Sequence, residues 1–276
     1  MSYQVVPLRP LLSGGSGDLS IGKRTDTGEL VVIKYLRECH LPEARKGFAR
    51  EVRILARNLP GLMRILCANT EAAHPYYVMP YLDGGSLSKY AGKLNEHQLL
   101  AIATAVAGSL VALHAQYISH GDVKPDNIMV SHDGRMHVAD PLGSGIGCTV
   151  LFSENRGGTP GYWAPEVHAG RPISHAGDVY SYGTTLYHLL TGLKPQDGQR
   201  LDLSVQNYPC APKIRQVIIA CCHTDPHERA SMQEVLRMLG GEQWADIQTM
   251  RRQHQKQMTT VCVIGVLVLL VAALAG

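Results

Sequence analysis

Residues His120 to Val130 read HGDVKPDNIMV. An Asp at 122, a Lys two residues on and an Asn five residues on put a carboxylate, an ammonium and an amide into one short loop. That set suits phosphoryl transfer, where positioning and charge do most of the catalysis. Gly121 fits more than one kind of such loop, so the surrounding chain has to decide between them.

The chain has 276 residues, enough for one large domain or two lobes sharing a cleft, and no second independent domain is expected. A net charge of +3 is mild, and no long Lys/Arg run interleaved with aromatics leaves a footprint for nucleic acid. The seven cysteines (Cys39, Cys67, Cys148, Cys210, Cys221, Cys222 and Cys262) are odd in number, scattered and without a C-x-x-C pair. They argue for reduced thiols in a cytosolic compartment rather than a disulfide frame or a zinc site. The opening MSYQVVPLRP has no apolar core of a signal peptide.

The far end differs. From Thr259 the chain runs TTVCVIGVLVLLVAALAG without a charge. As a helix this reaches roughly 27 Å, close to the hydrocarbon thickness of a bilayer. A buried core helix is the competing reading, but so uniform an apolar run offers no polar face to solvent. Arg251, Arg252 and Lys256 precede it and no charge follows, which by the positive-inside rule puts the preceding domain in the cytoplasm. The expectation is a C-terminal tail anchor.

Between these ends, SIGKRTDTGELVVIKYL reads as two strands joined by a turn at Asp26-Thr27-Gly28. PEARKGFAREVRILARNL opens with Pro42 and places Phe48, Val52, Leu55 and Leu59 on one helical stripe. YYVMPYL is a short strand, and DGGSL reads as a flexible joint between lobes. From NEHQLLAIATAVAGSLVALHAQ onward helical patterns dominate, and a polar helical linker follows near 241 to 257. The fold class is therefore α+β, a strand-rich first part followed by a helical remainder.

Taken in order, the motifs over roughly residues 8 to 240 resemble the protein kinase family, and specifically its Ser/Thr members of the Hanks type. The resemblance implies a two-lobed fold, an N-lobe over 1–82 and a C-lobe over 83–240; the polar stretch and the apolar run beyond it read as a linker over 241–257 and a transmembrane helix over 258–276. LLSGGSGDLSIGK ahead of VVIK aligns Gly14 and Gly17 with the second and third glycines of the phosphate-covering loop, with Leu12 where the first would stand. Lys34 would hold the ATP phosphates and pair with Glu51. In the opening loop, Asp122 would orient or deprotonate the attacking hydroxyl, Lys124 would neutralise the transferring phosphoryl, and Asn127 would bind a metal together with Asp140 of VADPLG. Val32, Met79, Tyr81, Leu82 and Met129 would frame the adenine.

Aminoglycoside- and choline-type kinases also carry an H-G-D…N loop, and three features weigh against them. Lys124 stands where those enzymes usually have His. GGTPGYWAPEV resembles the segment that shapes a protein-substrate groove, with Thr159 near Asp122 and Lys124. DVYSYGTTLYHLLTG and CCHTDPHERASMQEVL resemble C-lobe elements in which Asp178 anchors the catalytic loop and Arg229 pairs with Glu166. The resemblance thus implies ATP and Mg2+, or Mn2+ in its place, and protein substrates; the apolar tail holds the kinase domain at a membrane, expected to be a bacterial inner membrane, near its substrates or a membrane-protein partner, and the charge balance gives no nucleic-acid partner. Two alternatives stay open: a pseudokinase that binds nucleotide without catalysis, and a small-molecule kinase.

Two departures matter. Pro141 and Leu142 replace the Phe and Gly of the D-F-G turn, with Gly143 one place later, which restricts that turn because proline fixes φ and has no N–H. Gly121 replaces an Arg that in many relatives meets a phosphate on the activation segment. Activity is therefore expected to survive without phosphorylation between Thr149 and Ser153. The double change Thr149→Ala/Ser153→Ala should retain phosphate transfer in a kinase assay, and its abolition would refute this reading.

Overall fold

The computed structural model describes residues 4–13, 17–142, 144–145, 158–197, 201 and 212–275, with the backbone alone at 12–13, 144–145 and 261–275. Gly14, Gly143, Thr149 and Ser153 lie outside the described residues.

The β-branched run at 30–35 alternates its side chains across a sheet, and the two faces go to different places. Strands β1 (Val5–Ser13), β2 (Asp18–Arg24) and β3 (Leu30–Tyr35) are followed by helix α1 (Pro42–Leu55), β4 (Cys67–Asn69) and β5 (Tyr76–Pro80). They build one antiparallel sheet in the order β1-β2-β3-β5-β4. Val31 and Ile33 pack with Val78 on one side, whereas Val32 joins the main core on the side that also carries Lys34. The β2–β3 hairpin forms as its turn residues imply, with Gly28 at φ +74° and Arg24 bonded to Asp26 and Glu29.

β1 has no counterpart among the strands expected from the sequence, and its Pro7 and Pro10 are residues that cannot donate to a ladder. The structure accommodates both prolines at an edge, with register shifts beside each of them. The apolar stripe of α1 stops short as well. Phe48, Val52 and Leu55 are buried, but the helix ends at Leu55 rather than reaching Leu59. Asn58 takes a left-handed φ of +51°, and Pro60 disfavours helix at the residue before it.

The DGGSL joint is pinned rather than flexible. β6 (Gly85–Ser86) pairs with Val130 and Met129, and a Cβ on Gly84 would collide with the Val130 carbonyl oxygen. Helix α2 (Glu96–His114) starts at a capping box made by Asn95 and Gln98 and buries Leu99, Ile102, Val106, Leu110 and Leu113. β7 (Ile118–Ser119), β8 (Ile128–Val130), β9 (Met136–Val138) and β10 (Ser144–Gly145) flank the loop at 120–127 in small antiparallel pairings. Beneath them lie α3 (Pro165–His168), α4 (His175–Thr191), α5 (Pro212–Cys221) and α6 (Met232–Gly240), with α4 buried along almost its whole length.

The last element covers the segment expected as a polar helical linker over 241–257 and most of the run beyond it. α7 (Trp244–Ala275) is one helix with no break at 257, and its first turns belong to the lobe, since Ile247 is buried and Trp244 packs against the core. Among the described residues the one helix long and apolar enough to cross a membrane is α2, whose residues are half buried inside the lobe.

A buried Arg–Glu pair ties the helical lobe together. Arg229 donates to Glu166 through both terminal nitrogens, at 2.5 and 2.7 Å, and spends its three remaining N–H groups on the carbonyls of Ala176, His223 and Thr224. Its plane also lies 5.1 Å from the Tyr180 ring centre. Removing one partner of such a pair strands the other charge out of water. Arg229→Met is therefore expected to lower the unfolding free energy by about 3–5 kcal/mol in a urea titration.

Candidate active site

One wall of the cleft is built by β3 and α1. Lys34, 2% exposed, donates from Nζ to Glu51 Oε1 at 2.8 Å and to Asp140 Oδ1 at 3.0 Å. The Tyr77 hydroxyl donates to the same Glu51 oxygen at 2.7 Å. Burial alone would lower the Lys34 ammonium, but the two carboxylates outweigh it and hold it above its ordinary range. Burial raises the Glu51 carboxyl despite Lys34, whereas Asp140, also lifted by burial, is held below its usual value because Lys34 outweighs that effect. Two carboxylates on one ammonium are thus pushed apart, with Asp140 the more firmly ionised.

The opposite wall is the catalytic loop. Asp178, in the first turn of α4 and 1% exposed, accepts the His120 N–H at 2.7 Å, the Gly121 N–H at 2.8 Å and His114 Nε2 at 2.9 Å. Drawing two successive amides onto one carboxylate leaves Gly121 at φ +87°, where a side chain is strained, and a Cβ there would also press on Ile173 and Leu142. His120 is fully buried; its Nε2 donates to the Ala139 carbonyl while Nδ1 accepts the Asp122 N–H. An imidazole bonded in this way is neutral, in keeping with a pKa lowered chiefly by burial.

Below it the polar side chains interlock. Asp122 Oδ2 accepts Lys124 Nζ at 2.7 Å and Asn127 Nδ2 at 2.8 Å, and its Oδ1 accepts the Thr159 hydroxyl at 3.0 Å. Lys124 also donates to Thr159 Oγ at 2.5 Å. Asp140 is reached through a backbone zipper: the Ala139 N–H bonds the Asn127 carbonyl and the Leu142 N–H bonds the His120 carbonyl, both at 2.8 Å. Buried Pro141 contributes no donor there, and Asp140 itself sits at φ +57°, a conformation that Asp tolerates better than most residues. The D-P-L turn is therefore held against His120 on both sides of Asp140.

The donor chemistry fits a hard cation. The Asn127 amide nitrogen is committed to Asp122, which leaves its amide oxygen, and the zipper sets that residue beside the chain carrying the ionised, one-third exposed Asp140 carboxylate. Of the residues expected to frame an adenine, Val32 and Met79 face each other in register, and Tyr81, Leu82 and Met129 are partly buried against the large core cluster that contains both. Gly17 has a packing reason of its own, because a Cβ there would lie 2.5 Å from the Tyr35 carbonyl oxygen.

A family model described as the protein kinase domain matches residues 7–239. The chain belongs to the protein kinase family. Similar proteins include the serine/threonine-protein kinase pkn2 of Myxococcus xanthus, 33% identical over 69% of this chain and 25% of its own length. Pkn1 of the same organism is 34% identical over 72% of this chain and 30% of its own length. The serine/threonine-protein kinase PknL of Mycobacterium tuberculosis is 34% identical over 79% of this chain and 60% of its own length. The chain thus spans less than two thirds of the length of these relatives.

Three residues of the kinase site escaped the sequence reading: Tyr77 on Glu51, His114 on Asp178, and His120 as the neutral bridge to Ala139. A Tyr in an apolar strand and a His at a helix end carry no local signal of such partners. His120 was the one within reach, since it begins the decisive loop.

His120, His137, His175 and His188 are all held below the ordinary histidine value of 6.5, with burial the main cause. A depressed folded pKa means that the unfolded chain binds more protons below 6.5, so stability present at neutral pH is lost on acidification. Urea titrations from about pH 7.5 to 5.5 should show the unfolding free energy falling, by up to about 1.4 kcal/mol per pH unit for each such histidine. His175→Phe, which preserves a ring stacked on His114, should flatten the fall.

Proposed function

We propose that the chain is an ATP-dependent Ser/Thr protein kinase with its kinase domain held at the cytoplasmic face of a membrane. The observation that carries the reading is the interlock of Thr159 with both Asp122 and Lys124. Thr159 belongs to the segment that leads into Glu166, and a protein-substrate segment bonded directly to the catalytic pair favours a peptide acceptor over a small molecule. The names of the similar kinases support the same class.

In this reading Lys34, oriented by Glu51, contacts the ATP phosphates. Asp122 aligns the acceptor Ser or Thr hydroxyl and takes its proton as the oxygen attacks the γ-phosphorus and the bond to the β-phosphate oxygen breaks. Lys124 sits where it can offset charge on the transferring group. Asn127 and Asp140 would hold Mg2+, which when bound neutralises phosphate charge. Gly17, and Gly14 beyond the described residues, would cover the phosphates, and Val32, Met79, Tyr81, Leu82 and Met129 would enclose the adenine.

The membrane part rests on the sequence: the uncharged run from Thr259, preceded by Arg251, Arg252 and Lys256, continues the helix α7. A bacterial inner membrane is the setting proposed for it.

The test is transfer of labelled γ-phosphate from Mg-ATP to a generic basic protein by the full chain in detergent. Asp122→Ala should lower kcat about 10²–10⁴-fold, the range for loss of a positioned base, and Lys34→Ala should abolish measurable transfer. Phosphoserine or phosphothreonine unchanged in both variants would overturn the assignment. Nucleotide binding without any transfer would turn the reading to a pseudokinase.

A further inference from the structure

Arg251 fastens α7 to the C-lobe. Its guanidinium donates to Glu234 at 2.6 and 3.2 Å, to the Arg229 carbonyl at 3.0 Å and to the His227 carbonyl at 3.2 Å, and lies 5.6 Å from the Trp244 ring centre. Glu234 cannot simply follow the helix, because the same carboxylate closes the capping box of α6 on Ser231. One turn before Arg251, on the same face of α7, Ile247 is 1% exposed. Contacts at 244, 247 and 251 fix both the axis of the helix and its rotation about that axis.

Past Arg251 the side chains of residues 252–260 are exposed, and the helical backbone runs unbroken to Ala275. Thr259, where the uncharged stretch begins, is eight residues from Arg251. At 1.5 Å per residue this is about 12 Å of stiff helix. The headgroup layer on one side of a bilayer is about 5–8 Å thick. Arg252 and Lys256, four apart and so on one face of the exposed turns, bring cations to that layer.

Building on the membrane reading above, we propose that α7 and the C-lobe form one rigid body, so that one face of the kinase domain meets the anionic headgroups and its orientation selects acceptors carried close to the bilayer.

The experiment uses the full chain in vesicles of phosphatidylcholine and phosphatidylserine, with one acceptor peptide supplied either tethered to lipid or free in solution. A six-residue Gly/Ser segment is inserted between Gln257 and Met258, beyond the last contact of α7 with the lobe; such a segment is a flexible coil that frees the lobe from the helix below it. With the peptide held on short, intermediate and long tethers, the parent should favour one tether length about tenfold or more, because a lobe fixed at one height and tilt serves only acceptors within its reach. The Gly/Ser form should bring the tether lengths to within about threefold of one another, and both forms should act alike on the free peptide.

Arg251→Ala, which loosens the joint without lengthening the chain, should level the tether lengths in the same way. Flotation with the vesicles but the same tether-length preference with and without the Gly/Ser segment overturns the rigid joint and leaves the anchor standing. A full chain that fails to float overturns the anchor reading and this inference with it, and transfer to the free peptide still reports on the kinase.

Discussion

The carboxylate of Asp178 is the point from which the catalytic loop hangs. A charge at 1% exposure is stable only when its oxygens are filled, and here they take two consecutive main-chain N–H groups and one imidazole N–H. Bringing the amides of His120 and Gly121 to one side chain sharply turns the chain, which is why glycine suits position 121 and why Asp122 emerges beyond the turn. His120, buried beneath the same carboxylate, then reaches the Ala139 carbonyl and sets the strand that delivers Asp140.

Asp140 in turn links the two walls. It is bound through its backbone neighbours to the catalytic loop and through its side chain to Lys34 of the sheet, and Lys34 continues the chain of bonds to Glu51 and Tyr77. Each charged group in this series is compensated by the next. The arrangement is costly to break at any single member, because the partner left behind would be a buried, unpaired charge.

The family relationship and the geometry speak to different questions. Membership follows from a match over residues 7–239, and it would have been the same for a chain whose site had decayed. The interlocked hydroxyl, ammonium and carboxylate of Thr159, Lys124 and Asp122 form a local, chemical observation, and it is this that favours a protein acceptor.

Order and residue type were legible from the sequence alone. The hairpin, the start of α1 at Pro42 and the helical run that became α2 depend on periodicity and on turn and start residues, which are properties of a contiguous segment, while the roles expected of Lys34, Glu51, Asp122, Lys124 and Asn127 came from the resemblance of short motifs to those of kinases. What lay beyond it were the features decided at long range. β1 exists because an edge tolerates its prolines, DGGSL is rigid because Val130 lies against Gly84, and α7 joins the lobe because Arg251 and Ile247 find α6 and its preceding turn. Local pattern determined which groups could do the chemistry. Only tertiary packing decided which of them share a hydrogen bond, because a buried polar group must take its partner from whatever part of the chain the fold sets beside it.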